Sequence, residues 1–333
     1  MEPGPLNLLT DIDGLSVGHA TDLALGSGVT VVVFDKPAVA SGSVLGGAPG
    51  GRETALLDPA MTVTEVDALV LSGGSAFGLD AAGGVQAGLR AQGRGFPVGN
   101  TFVPIVPQAI LMDLLNGGNK DWGLHSPYRD IGYAAFTAAQ KGAFDLGTIG
   151  AGTGATTATV KGGLGSASAM TSTGHTVAAL VAVNAMGSAT IGDTEHFWAA
   201  PFEQNKEFGG LGLPAQFTDH DIALRAKGLD HPTATTIGII VTDAILTKAQ
   251  AHRLSIMAQD GLARAVLPAH LPADGDTIFA AATGAKPLAT PSDFMELCHL
   301  ATLTMARAIA RGVYEATALP HNHAQLAWRD LHL

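Results

Sequence analysis

"HPTATTIGIIVTDAILT" spans residues 231–247. A loop-like HPTA leads into two threonines, and the β-branched run behind them predicts a buried strand over 235–244. A threonine at the mouth of an apolar strand, behind a segment that can be cut, is a place where a chain can make a nucleophile by cleaving itself. A threonine hydroxyl is a poor nucleophile without an adjacent base, and the free α-amine of a chain that starts with threonine is such a base, tethered at bonding distance. Its reference pKa near 8 leaves much of it neutral at physiological pH. Taken by themselves, Thr235 and Thr236 read as ordinary β-formers at a strand start, and the pattern does not choose between them.

Composition sets the bounds. The 333 residues are enough for a large core in one domain or two. Apolar residues make up 47% and charged residues 14%, with 43 glycines, which suits a tightly packed enzyme scaffold with many close backbone approaches. The 18 Lys+Arg against 29 Asp+Glu give a net charge of −11, which opposes nucleic acid and anionic membranes as partners. Mean hydropathy is +0.27, yet stretches such as "TVAALVAVNAM" (176–186) fall short of a membrane span. The start, "MEPGPLNLLTDIDG", lacks the basic and apolar parts of a signal peptide, so a cytoplasmic location is expected. Cys298 is the only cysteine and shares helical spacing with Phe294 and Leu297, a core position.

Strands are expected at 28–34, 67–74 and 175–187 as well as 235–244, with a helix after the sharp turn at "LSGGSAFG". Thr247 is placed to cap a helix whose Leu254, Met257, Gly261, Leu262 and Ala265 share a face. A second helix follows Thr290, with Pro291 at its first position and Asp293 as the capping-box acid. Between these helices, "PADGDTIFAAAT" reads as a turn into another strand. Strands and helices interleave without regular alternation, arguing for layered sheets covered by helices. The most polar, least periodic region, 195–234, is where a seam would fall.

Other features carry chemistry of their own. "DGD" at 274–276 puts two carboxylates on one side of an extended segment, able to hold a proton between them; a solvated turn or a weak Mg²⁺ or Ca²⁺ site are the alternatives. "GAGTGAT" (150–156) lacks phosphate-loop spacing and reads as a tight or substrate-lining loop. Ser75 sits at a strand-to-helix turn without the flanking pattern of a hydrolase serine, so close packing explains its glycines better. His321 and His323 lack a partner acid at metal-site spacing, and neither a metal nor a cofactor is expected.

"GGAPGGRET" (46–54), "LSGGSAFGLDAAGGV" (71–85), "GFPVGNTFVPIVPQAIL" (95–111), "GAGTGATTATVKGGLGSAS" (150–168), "VAVNAMG" (181–187) and the Thr235 strand occur in order. Together they resemble the DmpA/β-aminopeptidase family of self-cleaving N-terminal nucleophile hydrolases, which includes the endo-type 6-aminohexanoate (nylon) oligomer hydrolase. The resemblance covers about residues 10–315. It implies an α/β fold, a single four-layer αββα sandwich of the DmpA/ornithine acetyltransferase superfamily. It further implies cutting between Ala234 and Thr235 into subunits 1–234 and 235–333, and a homotetramer of such pairs.

By motif, Thr235 matches the nucleophile and Asp274 and Asp276 match the acidic pair of the nylon oligomer hydrolase branch, while Lys161 and Asn184 match two further active-site positions. An asparagine NH₂ suits an oxyanion donor, and a lysine ammonium can steady developing negative charge or a neighbouring carboxylate. Met112 stands where some members have tyrosine, and Ala234 where asparagine or glycine often precedes the cut. The implied activity is amide-bond hydrolysis of small peptides, amino-acid amides, β- or ω-amino-acid amides or nylon oligomers. An ornithine acetyltransferase-like acyl transferase and an uncleaved, non-catalytic homologue are the rival readings.

Overall fold

The computed structural model describes residues 1–227 and 234–333; the reading of 231–233 as loop lies outside them. In chain order the elements are β1 (Leu15–Asp22), β2 (Ser27–Val44), β3 (Gly51–Arg52), β4 (Glu65–Ser72), α1 (Ala81–Ala91), β5 (Phe96–Val98), β6 (Thr101–Val103), β7 (Gln108–Ile110) and α2 (Tyr128–Thr137). Then come β8 (Leu164–Met170), β9 (Thr176–Ala182), β10 (Ile237–Ala244), α3 (Lys248–Ala265), β11 (Thr277–Lys286), α4 (Pro291–Tyr314) and α5 (Trp328–His332).

Strand β2 organises the layers. Its first half pairs antiparallel with β1 and β4, and its second half, from Val39 to Val44, pairs with β11. The register against β4 breaks between Val33 and Ala38, around exposed Asp35, Lys36 and Pro37. Proline there has no N–H for a ladder and a fixed φ, so the strand changes partners at that point. Hydrogen bonding is continuous along β3-β7-β4-β2-β11-β10-β9-β8, with β2 shared between its two halves.

Side-chain alternation shows the layers. Ile237, Ile239 and Val241 of β10 and Ala178, Leu180 and Ala182 of β9 face Val32, Phe34, Leu69 and Leu71 in a core between the sheets. The opposite faces, Val177, Ala179, Val181 and Ile240, lie under Leu254, Leu262, Met305 and Ile309 of α3 and α4. On the far side, Val29, Val31, Val33 and Val70 lie under Val85, Leu89 and Phe136 of α1 and α2. The architecture is therefore αββα. Strands buried on both faces read as unbroken apolar runs, which is why their segments stood out in the sequence.

The caps form as expected: Thr247 Oγ1 accepts from the Gln250 N–H at 3.3 Å, and the Asp293 carboxylate accepts from the Thr290 N–H at 3.1 Å. Cys298 lies buried in the core under α4, its thiol pushed up to about 11 by burial. The expected helix after "LSGGS" begins as a 3₁₀ turn, Ser75–Asp80, before α1. The polar 195–227 stretch is not a seam. Phe197 is buried against Phe208, Tyr314 and Trp328, and Glu207 pairs with the buried Arg307 at 2.5 Å. Among the described residues no helix is long and apolar enough to cross a membrane.

Candidate active site

The peptide between Ala234 and Thr235 lies at the entrance to β10, and both residues are buried. The Thr235 hydroxyl donates to the carbonyl oxygen of Ala234, which sets Oγ1 against the carbonyl group it would attack. The Thr235 N–H donates to the main-chain carbonyl of Asn184 at 2.9 Å. Thr236 differs: its hydroxyl is buried with no hydrogen-bond partner among the described residues, and its N–H donates to Asp276 Oδ1 at 2.9 Å. Of the two threonines, Thr235 is the one whose hydroxyl lies on the Ala234 carbonyl.

The turn "DGD" packs directly beside this threonine. A Cβ on Gly275 would stand 2.6 Å from Thr235 Oγ1 and 2.8 Å from the Ala48 carbonyl, so only glycine lets the hydroxyl approach here. The 46–48 segment closes the other side, the Ala48 N–H donating to the Asp274 carbonyl at 2.7 Å. Neither aspartate belongs to a solvated turn, for each is 1% exposed. Asp274 accepts from the N–H groups of Met186 (3.2 Å) and Gly275 (2.9 Å), and its carboxyl is pushed up to about 7 by burial and then by Asp276. Asp276 accepts at Oδ2 from the His270 N–H and from its Nδ1, at 3.0 and 2.8 Å. Burial alone would lower the His270 pKa, but the Asp276 contact outweighs it and holds the imidazole above its usual value.

Asn184, fully buried, borders the same centre. Its Nδ2 donates to the Met112 carbonyl at 2.9 Å, and its Oδ1 accepts from the Thr156 N–H at 3.0 Å and from Lys227 Nζ at 2.8 Å. Met112 therefore serves through its main chain, which no side-chain substitution removes. Among the described residues Lys161 has no bond to this group: Nζ donates to the carbonyls of Gly152 (3.1 Å) and Gly162 (2.8 Å), and the Asp113 charge favours its charged form against burial. Burial pulls both Lys161 and Lys227 down to about 7.

A cavity of about 270 Å³ adjoins this cluster, lined by Met112, Asp113, Asn116, Thr156, Lys161 and His323 among others. The "GAGTGAT" loop contributes Gly154 and Thr156 to this lining. The glycines of "LSGGS" make close contacts instead: a Cβ on Gly73 would stand 2.1 Å from Asp113 Oδ2, and one on Gly74 2.2 Å from the Tyr128 ring. Among the described residues no group of three or more His, Cys, Asp or Glu is placed to hold a metal.

The site thus brings Thr235, Asp274, Asp276 and Asn184 together, with Lys161 beside the cavity. Sequence reading missed Lys227, His270 and Asp113. None has a periodic or motif signal; Lys227 lay in the aperiodic stretch, and only its fold-back onto Asn184 distinguishes it.

Comparison with known proteins gives the family and fold of the chain as a whole. The model of peptidase family S58 matches residues 7–326. An uncharacterised aminopeptidase of Mycobacterium tuberculosis (strain ATCC 25618 / H37Rv) is 41% identical over 336 residues, covering 93% of this chain and 94% of the relative. Among solved structures, a β-aminopeptidase of Burkholderia sp. superposes with a TM-score of 0.72 at 23% identity, covering 98% of this chain and 91% of the other. The L-aminopeptidase D-Ala-esterase/amidase of Ochrobactrum anthropi, described as a variant of the Ntn hydrolase fold, gives 0.68 at 18% identity, covering 98% and 92%.

Proposed function

This chain belongs to peptidase family S58 and is a hydrolase, and from that premise we propose that it is an aminopeptidase or amidase that makes its own N-terminal nucleophile at Thr235. The observation that carries the reading is the Thr235 hydroxyl held on the Ala234 carbonyl while the acidic turn closes around it.

Maturation begins as Oγ1 attacks the Ala234 carbonyl carbon. The C–N bond breaks, the acyl group moves to oxygen as an ester, and the nitrogen leaves as the new α-amine. Water hydrolyses the ester, leaving a carboxylate on Ala234 and a free hydroxyl and amine on Thr235. The Asn184 carbonyl that accepts the Thr235 N–H then orients that amine. In turnover the amine takes the hydroxyl proton as Oγ1 attacks the substrate carbonyl and passes it to the leaving amine, a role worth ~10²- to 10⁴-fold. The second Nδ2 hydrogen of Asn184 receives the oxyanion, and water releases the acyl group. Asp274, its carboxyl near half-protonated at neutral pH, holds or returns a proton beside the threonine.

Small aminoacyl, β-aminoacyl or ω-aminoacyl amides, 6-aminohexanoate oligomers included, are the substrates proposed. A cytoplasmic setting and a homotetramer of cleaved 1–234 and 235–333 pairs complete the reading; gel filtration of the matured protein checks the assembly. The activity test compares Thr235→Ser with Thr235→Ala on β-alanyl p-nitroanilide. The serine variant is expected to keep measurable turnover and the alanine variant to lose it. An alanine variant as active as wild type would refute the proposal.

A further inference from the structure

We propose that Lys227 is a positioning residue for the reaction: its side-chain nitrogen, a donor whether charged or neutral, locks the side-chain amide of Asn184 in the one orientation that presents an N–H to the reacting carbonyl oxygen. The inference rests on the reading that Asn184 receives the oxyanion. The two ends of an asparagine amide are chemically opposite, so a free Asn184 could offer the site its oxygen as readily as its NH₂. Its surroundings decide which. The Thr156 N–H can only donate, and it stands 3.0 Å from Oδ1. Lys227 Nζ stands 2.8 Å from the same oxygen, and also donates to the Thr156 carbonyl at 2.6 Å and Oγ1 at 2.8 Å.

Nδ2 must then point the other way, where one of its hydrogens meets the Met112 carbonyl at 2.9 Å and the second remains for a ligand. When charged, the lysine on Oδ1 also draws electron density toward the oxygen, which strengthens the N–H as a donor.

The lysine is itself fixed. Its main-chain N–H donates to the Met186 carbonyl at 3.0 Å, and the N–H of Met186 donates to Asp274 Oδ2 at 3.2 Å. One short stretch of chain therefore ties Lys227, Asn184 and the acidic turn together. Its stem is partly exposed, but the ammonium is buried and has no carboxylate bonded to it among the described residues. A buried lysine whose hydrogen bonds go only to neutral acceptors is costly to keep, which argues that its place on Asn184 serves the site rather than stability.

A double-mutant cycle tests this on β-alanyl p-nitroanilide: wild type, Lys227→Met, Asn184→Ala and the double variant, each confirmed folded by its thermal transition. Loss of one oxyanion donor lowers kcat by ~10²- to 10³-fold, and misorienting it is expected to cost part of that, ~10- to 100-fold, with KM within about threefold. In the Asn184→Ala background the lysine substitution is expected to change kcat by less than about threefold, because its effect passes through the missing amide. Equal losses in both backgrounds, or an unchanged kcat in Lys227→Met beside a large loss in Asn184→Ala, would overturn the proposal. Should Asn184→Ala itself keep full kcat, the oxyanion reading fails and the lysine's role with it. If Lys227→Met remains uncut, the same cycle is read on the rate of chain cleavage, and additivity there overturns it equally.

Discussion

Replacing Asp274 by asparagine should change how stability depends on pH. In the folded chain its carboxyl keeps its proton up to about pH 7, because burial and then Asp276 disfavour the charge. In the unfolded chain the same group releases its proton near pH 4. Between those values the native state binds a proton that the unfolded state has lost, so stability falls as pH rises through that window. Each decade of pH costs about 1.4 kcal/mol per proton, so the whole window amounts to about 4 kcal/mol at most.

Asparagine mimics the protonated acid at every pH and removes this dependence. The assay is urea unfolding at about pH 5 and about pH 8, in a Thr235→Ala background so that the chain stays whole. At the lower pH, one decade into the window, the asparagine chain should lead by only about 1.4 kcal/mol. At the higher pH the asparagine chain should be more stable by about 2 to 4 kcal/mol. An equal difference at both pH values would refute the argument that the buried pair raises Asp274.

Other sites make further tests. Arg307, fully buried, holds Glu207 by paired contacts at 2.5 and 2.9 Å, so Arg307→Met should cost about 3 to 5 kcal/mol in chemical unfolding; a loss under about 1 kcal/mol would contradict the ion-pair account. Gly275→Ala puts a methyl 2.6 Å from Thr235 Oγ1 and should slow chain cleavage by at least about tenfold, as read by intact mass over time; unchanged cutting would show that the hydroxyl does not need this approach. His270→Asn should destabilise more at about pH 5.5 than at about pH 8.5, because a pKa raised by Asp276 gives stability present at low pH and lost as pH rises through it; calorimetry showing the reverse order refutes this pairing.

The parts of the fold legible in the sequence are those where local chemistry and packing agree. The 235–244 run becomes β10, buried on both faces, and the caps at Thr247 and Thr290 form where predicted. The short strands β3, β5, β6 and β7 escaped notice, as did β1 and β8, which are built from residues too small and mixed to signal a strand. Their composition answers a different demand: a Cβ on Gly18 would stand 2.0 Å from the Ala135 carbonyl of α2, and one on Gly165 1.8 Å from the Ala308 carbonyl of α4. Such residues let a helix lie close on the sheet, and only the helix's position reveals it. The site divides the same way. Thr235, Asp274, Asp276 and Asn184 sit at strand ends or tight turns where motifs are local, whereas Lys227 and His270 join through fold-back contacts that no spacing encodes.

The most direct test is the intact mass, under denaturing conditions, of freshly purified wild-type protein beside Thr235→Ala. Chains 1–234 and 235–333 in the wild type, with the variant whole, are the predicted result. A wild type that stays whole on long incubation yet hydrolyses amides, or a variant cut as readily as wild type, would contradict the self-made nucleophile.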